Sequence, residues 1–396
     1  MGTETERLLV LINPQSGVGQ ALCIFNEMLL PELERVAVSY DLIITEHANH
    51  AKLFVVNCED LRKYTSIITI SGDGLIFEVV NGLLQRVDRE YCLSQIPLGL
   101  VPVGSGNALL SSVFNHLDKL AADTNEFVRS AISAVCNMQT NAYPVNLMHV
   151  ETPTESFGAF LSVGYGLLSD IDIESERWRK TLGRARFTVG AVIRCFLGLR
   201  IYSCRLSFLK SDDVSCNVRK VHPFKVYGRR NSSLAVEEEK ESERHSNEFD
   251  EMLSSDEFLR RSHLPDAVPK LSEPVPSEWS VIEDDFIFIY AMALSHIGHN
   301  ALYISDAELN DGNIYLTYAL KKDVQSKMEL FRFLLDIGTA QHMNYSFFKT
   351  VRVRSLRIEP TTEPFSGGIF VVDGESVNCG KLQATATSST IAVTGG

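Results

Sequence analysis

Asp73 stands between two glycines at a point where a carboxylate could do chemistry. The apolar run at 67–70 before it predicts a buried strand, and the apolar residues after it recur at helical spacing. Glycines on both sides leave room for a substrate atom beside the carboxylate. A carboxylate next to a nucleotide can accept a proton from an attacking hydroxyl or hold Mg²⁺. The alternative interpretation is a simple helix N-cap.

Three glycine-rich turns follow predicted strands, at 13–20, 71–74 and 103–107. Ligands of open parallel sheets bind at the carboxyl ends of the strands, where helix N-termini offer free N–H groups to phosphate. The first turn lacks the P-loop spacing, and Leu22 stands where a dinucleotide-binding fingerprint has its third glycine. Any one of these turns could be purely structural. Together they predict a phosphate site.

The elements that position these turns alternate between strand and helix patterns. Continuous apolar runs at 8–12, 42–45, 67–70 and 98–101 are typical of strands buried on both faces of a sheet. Helical periodicity separates them. We therefore predict that residues 1–142 form an α/β nucleotide-binding catalytic domain with an open, mostly parallel sheet.

The pattern changes after residue 142. Many segments alternate apolar and polar residues, as antiparallel strands with one solvated face do. We predict that residues 143–396 form an antiparallel β-rich, β-sandwich-like lipid-binding domain with helices at about 184–200 and 323–338. Residues 231–278 hold 13 acidic and five basic side chains and few apolar ones. The surrounding segment, about 211–278, is therefore predicted to be a disordered acidic insertion.

Composition excludes some classes of function. The net charge of −13 argues against a nucleic-acid partner. Eight cysteines without a C-x-x-C pair do not indicate a zinc ribbon, and their scatter through apolar stretches is typical of a reducing compartment. The longest apolar run has nine residues, at 286–294, against about 20 for a membrane-spanning helix. We expect a cytoplasmic protein with, at most, peripheral membrane association.

The motifs around Asp73 make a family resemblance specific. The sequence from Ser71 to Gly74 with Glu78 and the segment 79–83, followed by 102–108, resembles the diacylglycerol-kinase-type catalytic domain. Within that superfamily, the chain resembles the sphingosine kinases. The motifs that carry this second resemblance lie at 45–51, 169–179, 183–190 and 372–375.

The resemblance implies an ATP-dependent kinase that phosphorylates the primary hydroxyl of sphingosine to sphingosine 1-phosphate, with ADP as the other product and Mg²⁺ as cofactor. Asp73 would be the proton acceptor. Residues expected around the sphingoid base are Ser71, Gly72, Gly74, Ser162, Asp172 and His342. Residues expected around ATP are Asn13, Pro14, Gln15, Thr45, Glu46, Asn49, Glu78, Gly104, Ser105, Gly106, Arg179, Arg186, Asp373, Gly374 and Glu375. The sequence does not identify metal ligands.

Several of these residues have structural alternatives. The acidic run from Asp170 to Glu176 could be a solvated helix start, with Arg179 and Arg186 as its surface partners. Asp373 with Gly374 could be a hairpin turn. A histidine such as His342 is more often a core or surface residue than a ligand.

The first turn departs from the family pattern, because Gln15, Val18 and Gln20 replace its usual basic residues. More of the phosphate charge would then fall on Arg179, Arg186 and Mg²⁺. The alternatives to a sphingoid-base kinase are a kinase of diacylglycerol or ceramide and a catalytically weak lipid-binding scaffold. An NAD kinase shares the Gly-Asp-Gly turn but lacks the 172–186 motif. The basic, apolar stretch 187–200 could bind calmodulin or a membrane, although a partly buried domain helix is the favoured interpretation.

Overall fold

The computed structural model describes residues 6–183, 185–213, 221–227, 253–264, 268–361 and 368–396. Its strands are β1 (Arg7–Ile12), β2 (Ser39–Ile44), β3 (Ser66–Ser71), β4 (Leu98–Pro102), β5 (Asn141–Glu151), β6 (Ser156–Ala159), β7 (Ser162–Gly166), β8 (Tyr202–Lys210), β9 (Phe224–Lys225), β10 (Ser280–Met292), β11 (His296–Gly298), β12 (Ala301–Leu302), β13 (Ile314–Leu320), β14 (Lys349–Pro360), β15 (Phe370–Val372), β16 (Glu375–Val377) and β17 (Leu382–Thr394). Its α-helices are α1 (Ala21–Ile24), α2 (Leu30–Arg35), α3 (His50–Asn57), α4 (Asp73–Leu84), α5 (Arg89–Gln95), α6 (Ala108–His116), α7 (Thr124–Cys136), α8 (Leu167–Ser175), α9 (Arg179–Leu182), α10 (Ala185–Val192), α11 (Ser255–Arg261) and α12 (Lys327–Asp336).

The chain divides into two compact units. The first comprises Met1–Val145, Val221–Arg261 and Thr390–Gly396, and the second comprises Asn146–Lys220 and Ser262–Ser389. The prediction of a single boundary after residue 142 leaves out two later segments, Val221–Arg261 and Thr390–Gly396, in which the chain returns to the first unit. Strand pairing explains both returns, because β9 pairs with the start of β5 and the end of β17 pairs with β4.

The first unit is built on a parallel sheet, as predicted. Its strand order is β2-β1-β3-β4, and Val393 of β17 pairs in parallel with Leu98 of β4. In the centre, Val10 of β1 lies opposite Leu42 on one side and Ile68 on the other. The apolar residues of β1, β3 and β4 are fully or almost fully buried, because helices cover both faces of a parallel sheet.

Helix packing sets the positions of the turns in this unit. Phe25 and Leu29 lie in a π-helical turn that joins α1 to α2. They pack with Val10 of β1 and with Val128 and Ile132 of α7 in one buried cluster. Helices α1, α4 and α6 begin at or just after the three glycine-rich turns, which follow the carboxyl ends of β1, β3 and β4.

The second unit is antiparallel, also as predicted. The long strand β10 pairs with β8 along Ser280–Phe286 and with β13 and β7 over its second half. Strand β8 also pairs with β14, which pairs with β13. The strands β8, β10, β13 and β14 therefore form a closed cycle of hydrogen-bonded ladders. The hairpin β15–β16 extends the sheet beyond β7.

The two predicted helices of this unit are present with different ends. Helix α10 continues through a π-helical turn at Ile193–Leu197, and α12 spans Lys327–Asp336. Throughout the part of the chain that the structure describes, no helix combines the length and the apolar character needed to cross a bilayer.

The predicted disorder of 211–278 is wrong for the parts of that segment that the structure describes. Helix α11 buries Leu259 completely, Leu271 is 4% exposed, and Val226 is 5% exposed. The low average apolar content of the segment hid these residues, because each sits in a short apolar cluster among many polar and charged residues. Residues 214–220, 228–252 and 265–267 lie outside the described residues.

Candidate active site

Asp73 lies where two helices of the first unit begin. Gly72 is the N-cap of α4, and Asp73 is its first residue. The Asp73 carboxylate accepts hydrogen bonds from the first turn of α6, from the N–H of Ala108 to Oδ2 at 2.9 Å and from the N–H of Leu109 to Oδ1 at 3.2 Å. Asp73 thus caps a helix, as the alternative interpretation predicted, but the helix that it caps is α6 and not α4, to which it belongs. Each carboxylate oxygen keeps a further lone pair for a proton.

The environment of Asp73 makes it a better proton acceptor. Desolvation raises the pKa of Asp73, and the N–H groups of Ala108 and Leu109 oppose part of this rise. Although the residue is partly accessible to solvent, its carboxylate is enclosed by the turn that contains Gly106. A Cβ atom at Gly106 would lie 3.1 Å from Asp73 Oδ2. The glycine therefore keeps a side chain away from this oxygen.

The three glycine-rich turns meet, as the sequence predicted. A Cβ atom at Gly104 would lie 2.4 Å from the Cα atom of Gly72, so the second and third turns pack backbone against backbone. The first turn joins them at Gly17, which has a φ of +60°, and a Cβ atom there would lie 2.5 Å from the carbonyl oxygen of Val103. Only glycine fits contacts this close.

Asn107 shapes the third turn, a role that sequence reasoning missed. Its side chain accepts a hydrogen bond from the N–H of Gly104 at 3.0 Å and donates one to the carbonyl oxygen of Gly104 at 2.8 Å. Its backbone is left-handed, with φ of 56°, which asparagine tolerates better than most residues. The capping preference of asparagine would not have revealed this role, because the side chain makes no cap hydrogen bond to α6 and bonds to Gly104 instead.

The first turn and the start of the second are shaped by local hydrogen bonds. The Asn13 side chain accepts from the N–H of Gln15 at 2.9 Å, and the Ser71 hydroxyl donates to the Gly72 carbonyl oxygen at 2.8 Å. Of the turn residues predicted to meet ATP or lipid, Ser71 is buried and the others are exposed or partly accessible. They are Asn13, Pro14, Gln15, Gly72, Gly74, Gly104, Ser105 and Gly106.

The end of β2 carries the next candidates for ATP binding. Thr45 is buried and its N–H and hydroxyl both donate to the Ile12 carbonyl oxygen, at 2.8 and 3.2 Å. The N–H of Glu46 donates to Nδ1 of His50 at 3.0 Å, while the Glu46 side chain is exposed. Thr45 therefore fixes the strand end, and Glu46 presents its carboxylate to solvent.

Glu78 connects α4 to α3. Its carboxylate accepts hydrogen bonds from the N–H of Asn49 at 2.8 Å and from the N–H of Ala51 at 3.2 Å. Asn49 has a left-handed backbone, with φ of 64°, at the N-cap of α3. Glu78 thus caps α3 and holds the segment predicted to contact ATP.

In the second unit, Asp172 and Arg186 form an ion pair, which agrees with the structural alternative, and the ATP contact expected of Arg186 stays a prediction. Asp172 Oδ1 lies 3.2 Å from Nη2 of Arg186, whose Nη1 also donates to the backbone carbonyl of Asp172 at 3.0 Å. The Arg186 side chain is 4% exposed and also contacts Glu176 at 2.5 Å, and the Asp172 side chain is 33% exposed. Arg186 is therefore a buried anchor, and Asp172 keeps an accessible carboxylate.

The pKa of Asp172 is raised to about 6 by desolvation, with Arg186 opposing the rise and Glu176 and Glu375 adding to it. Asp172 is thus mostly ionised at neutral pH and becomes protonated as the pH falls through about 6. Arg179 pairs with Glu176 on the surface and is 40% exposed. Of the two predicted arginines, Arg179 is the accessible one.

Asp170 is a buried structural residue, which excludes a fully solvated acidic helix start. It is 0% exposed and accepts a hydrogen bond from the Tyr202 hydroxyl at 2.5 Å. Arg200 and Arg194 lie 3.2 and 3.4 Å from the same oxygen, and Arg194 is itself 7% exposed and paired with Glu174. Arg194 and Arg200, the two basic residues of 187–200, are therefore both paired with acidic side chains of the same unit.

Asp373 occupies a two-residue hairpin turn with Gly374, between β15 and β16, with φ angles of 49° and 86°. Its side chain is 2% exposed, and its carboxylate accepts hydrogen bonds from the N–H groups of Phe160, Leu161 and Ser162 at 2.8–2.9 Å. The hairpin alternative is thus correct, and Asp373 holds the segment before β7. Glu375, by contrast, is exposed.

Ser162 and His342 are both buried. The Ser162 hydroxyl lies 3.1 Å from that of Tyr290. His342 is 0% exposed, stacks on Tyr303 with ring centroids 5.0 Å apart, and donates from Nε2 to the Tyr303 carbonyl oxygen at 3.0 Å. Burial lowers the pKa of His342, so the ring is neutral at physiological pH. His342 belongs to an aromatic core that includes Phe333 and Phe348.

Comparison with known proteins places the catalytic unit in a class. Residues 7–145 match the family described as the diacylglycerol kinase catalytic domain. A crystal structure of a diacylglycerol kinase from Bacillus anthracis str. Sterne is 15% identical, with a TM-score of 0.56, and the match covers 99% of this chain and 98% of that one. That likeness concerns the fold. Fold, turns and family match together define a lipid kinase.

The relatives narrow this class. The chain is 36% identical over 394 residues to Sphingosine kinase 1 of Caenorhabditis elegans, covering 98% of this chain and 80% of the relative. It is 33% identical over 374 residues to Sphingosine kinase 1 of Homo sapiens, covering 93% and 85%. The chain belongs to the sphingosine kinase family.

Proposed function

We propose that this lipid kinase transfers the γ-phosphoryl group of ATP to the primary hydroxyl of sphingosine. The hydroxyl oxygen bonds to the γ-phosphorus, the bond from that phosphorus to the β,γ-bridging oxygen breaks, and ADP leaves. The hydroxyl proton passes to Asp73, and the lipid product is sphingosine 1-phosphate. The observation that carries this proposal is the position of Asp73, a carboxylate of raised pKa at the start of two helices.

The turns support ATP as the phosphate donor. Helices α4 and α6 begin at the second and third turns, so their positive dipole ends favour phosphate there. In α6 the N–H groups of Ala108 and Leu109 are already taken by Asp73, so the free N–H groups offered to phosphate are those of α4 and of the turns. No lysine or arginine lies between Arg7 and Arg35, so the first turn adds backbone N–H groups without a cationic side chain. We assign part of the missing charge to Arg179, which is accessible.

The residues of the three turns fit Mg²⁺ that is held mainly by nucleotide phosphates and water. Asp73 is the one carboxylate within 13–20, 71–74 and 103–107, and its oxygens already accept two N–H groups. Magnesium in kinases is commonly bound by one or two carboxylates together with substrate phosphates. When bound, Mg²⁺ would neutralise charge that develops on the phosphates.

We assign the ammonium group of the sphingoid base to Asp172. Its carboxylate is accessible, and Arg186 fixes its orientation from the buried side. Diacylglycerol and ceramide carry no ammonium group, so a carboxylate here favours a sphingoid base over either of them. Ser162 and His342 are buried in the unit, so we assign them to the wall that supports the lipid site rather than to direct contact with the head group.

We also propose peripheral contact with the cytoplasmic face of membranes, where the lipid substrate and ATP both occur. Val192, Phe196 and Leu197 are 37–81% exposed, and Phe196 packs edge to face on Phe331 of α12. Leu335, one helical turn beyond Phe331, is 45% exposed. Calmodulin is the alternative partner. It is less favoured, because Arg194 in this stretch is buried and paired.

A phosphate-transfer assay with radiolabelled ATP tests the reaction. Sphingosine, ceramide and diacylglycerol are offered separately in mixed micelles, with a reaction that lacks the enzyme as the blank. We expect label in the product of sphingosine only. Preference for diacylglycerol or ceramide would replace the substrate assignment, and absence of transfer to any lipid would favour the scaffold alternative.

Asp172→Ala tests the head-group assignment. Removing one partner of a desolvated charge pair typically costs about 2–5 kcal/mol, so the KM for sphingosine should rise at least about tenfold while that for ATP changes little. N-acetylation of sphingosine should impair the wild type and matter far less to the variant. A variant that weakens ATP but not sphingosine would assign Asp172 to the nucleotide.

A further inference from the structure

Three side chains of the second unit converge outside the site described above. His149 Nδ1 lies 2.8 Å from Nε2 of His263 and 3.5 Å from Oε1 of Glu151. One ligating atom from each residue lies within 4.8 Å of the other two. Among the described residues, this group alone brings three histidine, cysteine or carboxylate donors so close together.

The fold builds this group from two distant segments. His149 and Glu151 are two residues apart on β5, so their side chains leave the same face of the strand. His263 follows α11 and forms a single antiparallel bridge to Thr387 of β17. The hydroxyl of Thr387 in turn donates to the carbonyl oxygen of Leu147 at 2.6 Å, which ties β17 to β5 beside the group.

The donors are held in place and reachable. His149 is 0% exposed and Glu151 is 6% exposed, whereas His263 is partly accessible to solvent. Glu151 Oε2 accepts a hydrogen bond from the N–H of Leu271 at 3.0 Å, which leaves Oε1 directed at His149. A second hydrogen bond of this kind orients carboxylate ligands at metal sites.

We infer that His149, Glu151 and His263 form a binding site for a divalent transition metal of the zinc type. Two imidazoles and a carboxylate are a common zinc donor set, with water as the fourth ligand. Zinc–ligand distances of about 2.0–2.1 Å place neighbouring ligand atoms about 3.3 Å apart. The observed separations of 2.8 and 3.5 Å lie on either side of that value, and all three ligating atoms lie within 4.8 Å of one another, so an ion would draw the side chains together by small rotations.

Such an ion would have a structural role. It would link β5 to the segment that carries His263, which lies within the predicted acidic insertion. Closing a loop between positions 149 and 263 removes freedom from the unfolded chain, as other long-range links do. The alternative is a metal-free pair of hydrogen-bonded histidines, and the two predict different responses to zinc.

The test measures zinc in the full-length protein after dialysis against micromolar ZnSO₄ and then metal-free buffer. We expect about one zinc per chain by plasma mass spectrometry and a rise of several degrees in melting temperature on adding zinc to chelator-treated protein. Cobalt in place of zinc should give the visible d–d bands of a tetrahedral site. Zinc content near zero, with a melting temperature that zinc does not change, would overturn the inference.

Two variants and one control make the test specific. Glu151→Gln keeps an acceptor for the N–H of Leu271, so it should fold, and it should lower zinc affinity at least about 10–100-fold. His149→Gln should do the same, while His116→Gln, an exposed histidine at the end of α6, should bind zinc as the wild type does. Equal zinc binding by Glu151→Gln and the wild type, with the fold checked by circular dichroism, would also overturn the inference.

Discussion

Oδ2 of Asp73 lies 2.9 Å from the N–H of Ala108, so one carboxylate closes the first turn of a helix to which it does not belong. This bond ties the second glycine-rich turn to the third. The carboxylate predicted to accept the substrate proton is therefore positioned by the same turns that are predicted to bind the phosphates. Any change in the packing of those turns should alter phosphate transfer.

Gly104→Ala should damage the site through packing alone. The new Cβ atom would lie 2.4 Å from the Cα atom of Gly72, so the two turns must separate. We expect a loss of at least tenfold in kcat/KM for ATP and a fall of about 1–3 kcal/mol in the free energy of unfolding. The measurements are steady-state kinetics and chemical denaturation. Gly338→Ala is the matched control, since a Cβ atom there meets nothing within 4 Å, and unchanged kinetics in Gly104→Ala would show that the turns are not coupled.

Sphingosine binding should weaken as the pH falls through about 6. The pKa of Asp172 is raised to about 6, mainly by desolvation, so the carboxylate is protonated and neutral below that pH and cannot attract an ammonium group. The KM for sphingosine should therefore rise between about pH 7 and pH 5, and Asp172→Asn should remove most of that dependence. Parallel profiles of the KM for ATP serve as control. A flat sphingosine profile in the wild type would contradict the assignment.

Variants of Asp373 and of the nearby Glu375 should separate a structural role from a role in nucleotide binding. Asp373→Ala leaves three buried N–H groups without their acceptor, so we expect the free energy of unfolding to fall by at least about 3 kcal/mol. Glu375→Ala, at an exposed position, should leave stability nearly unchanged while affecting the KM for ATP. Denaturant titration and ATP kinetics on both variants check this. Equal free energies of unfolding for the two variants would show that the buried hydrogen bonds to Asp373 contribute little to stability.

Features with a short-range cause could be predicted from the sequence. The continuous apolar run of β1 predicted a central parallel strand, and glycines at strand ends predicted the turns around Asp73. These signals are local, because a strand buried on both faces must be apolar and a close backbone approach requires glycine. The same reasoning predicted the antiparallel second unit.

Features that depend on distant partners could not be predicted. Asp373 and Glu375 look alike in sequence, yet one is buried under three N–H groups and the other is exposed, because only the first meets the segment before β7. Leu259 was hidden by the low apolar content of the segment around it. His149 and His263 are 114 residues apart and follow no ligand spacing, so no motif could join them.

The most direct test of the account is the rate of phosphate transfer to sphingosine by Asp73→Asn. The amide is nearly isosteric but cannot take the proton, and its NH₂ group faces an N–H donor of α6. We predict a loss of about 10²–10⁴-fold in kcat with the fold retained. Asp123→Asn is the matched control, because Asp123 caps α7 through the N–H groups of Asn125 and Glu126 and lies outside the three turns. It should keep wild-type turnover. Near-wild-type turnover by a folded Asp73→Asn enzyme would contradict the account and assign proton acceptance to another group.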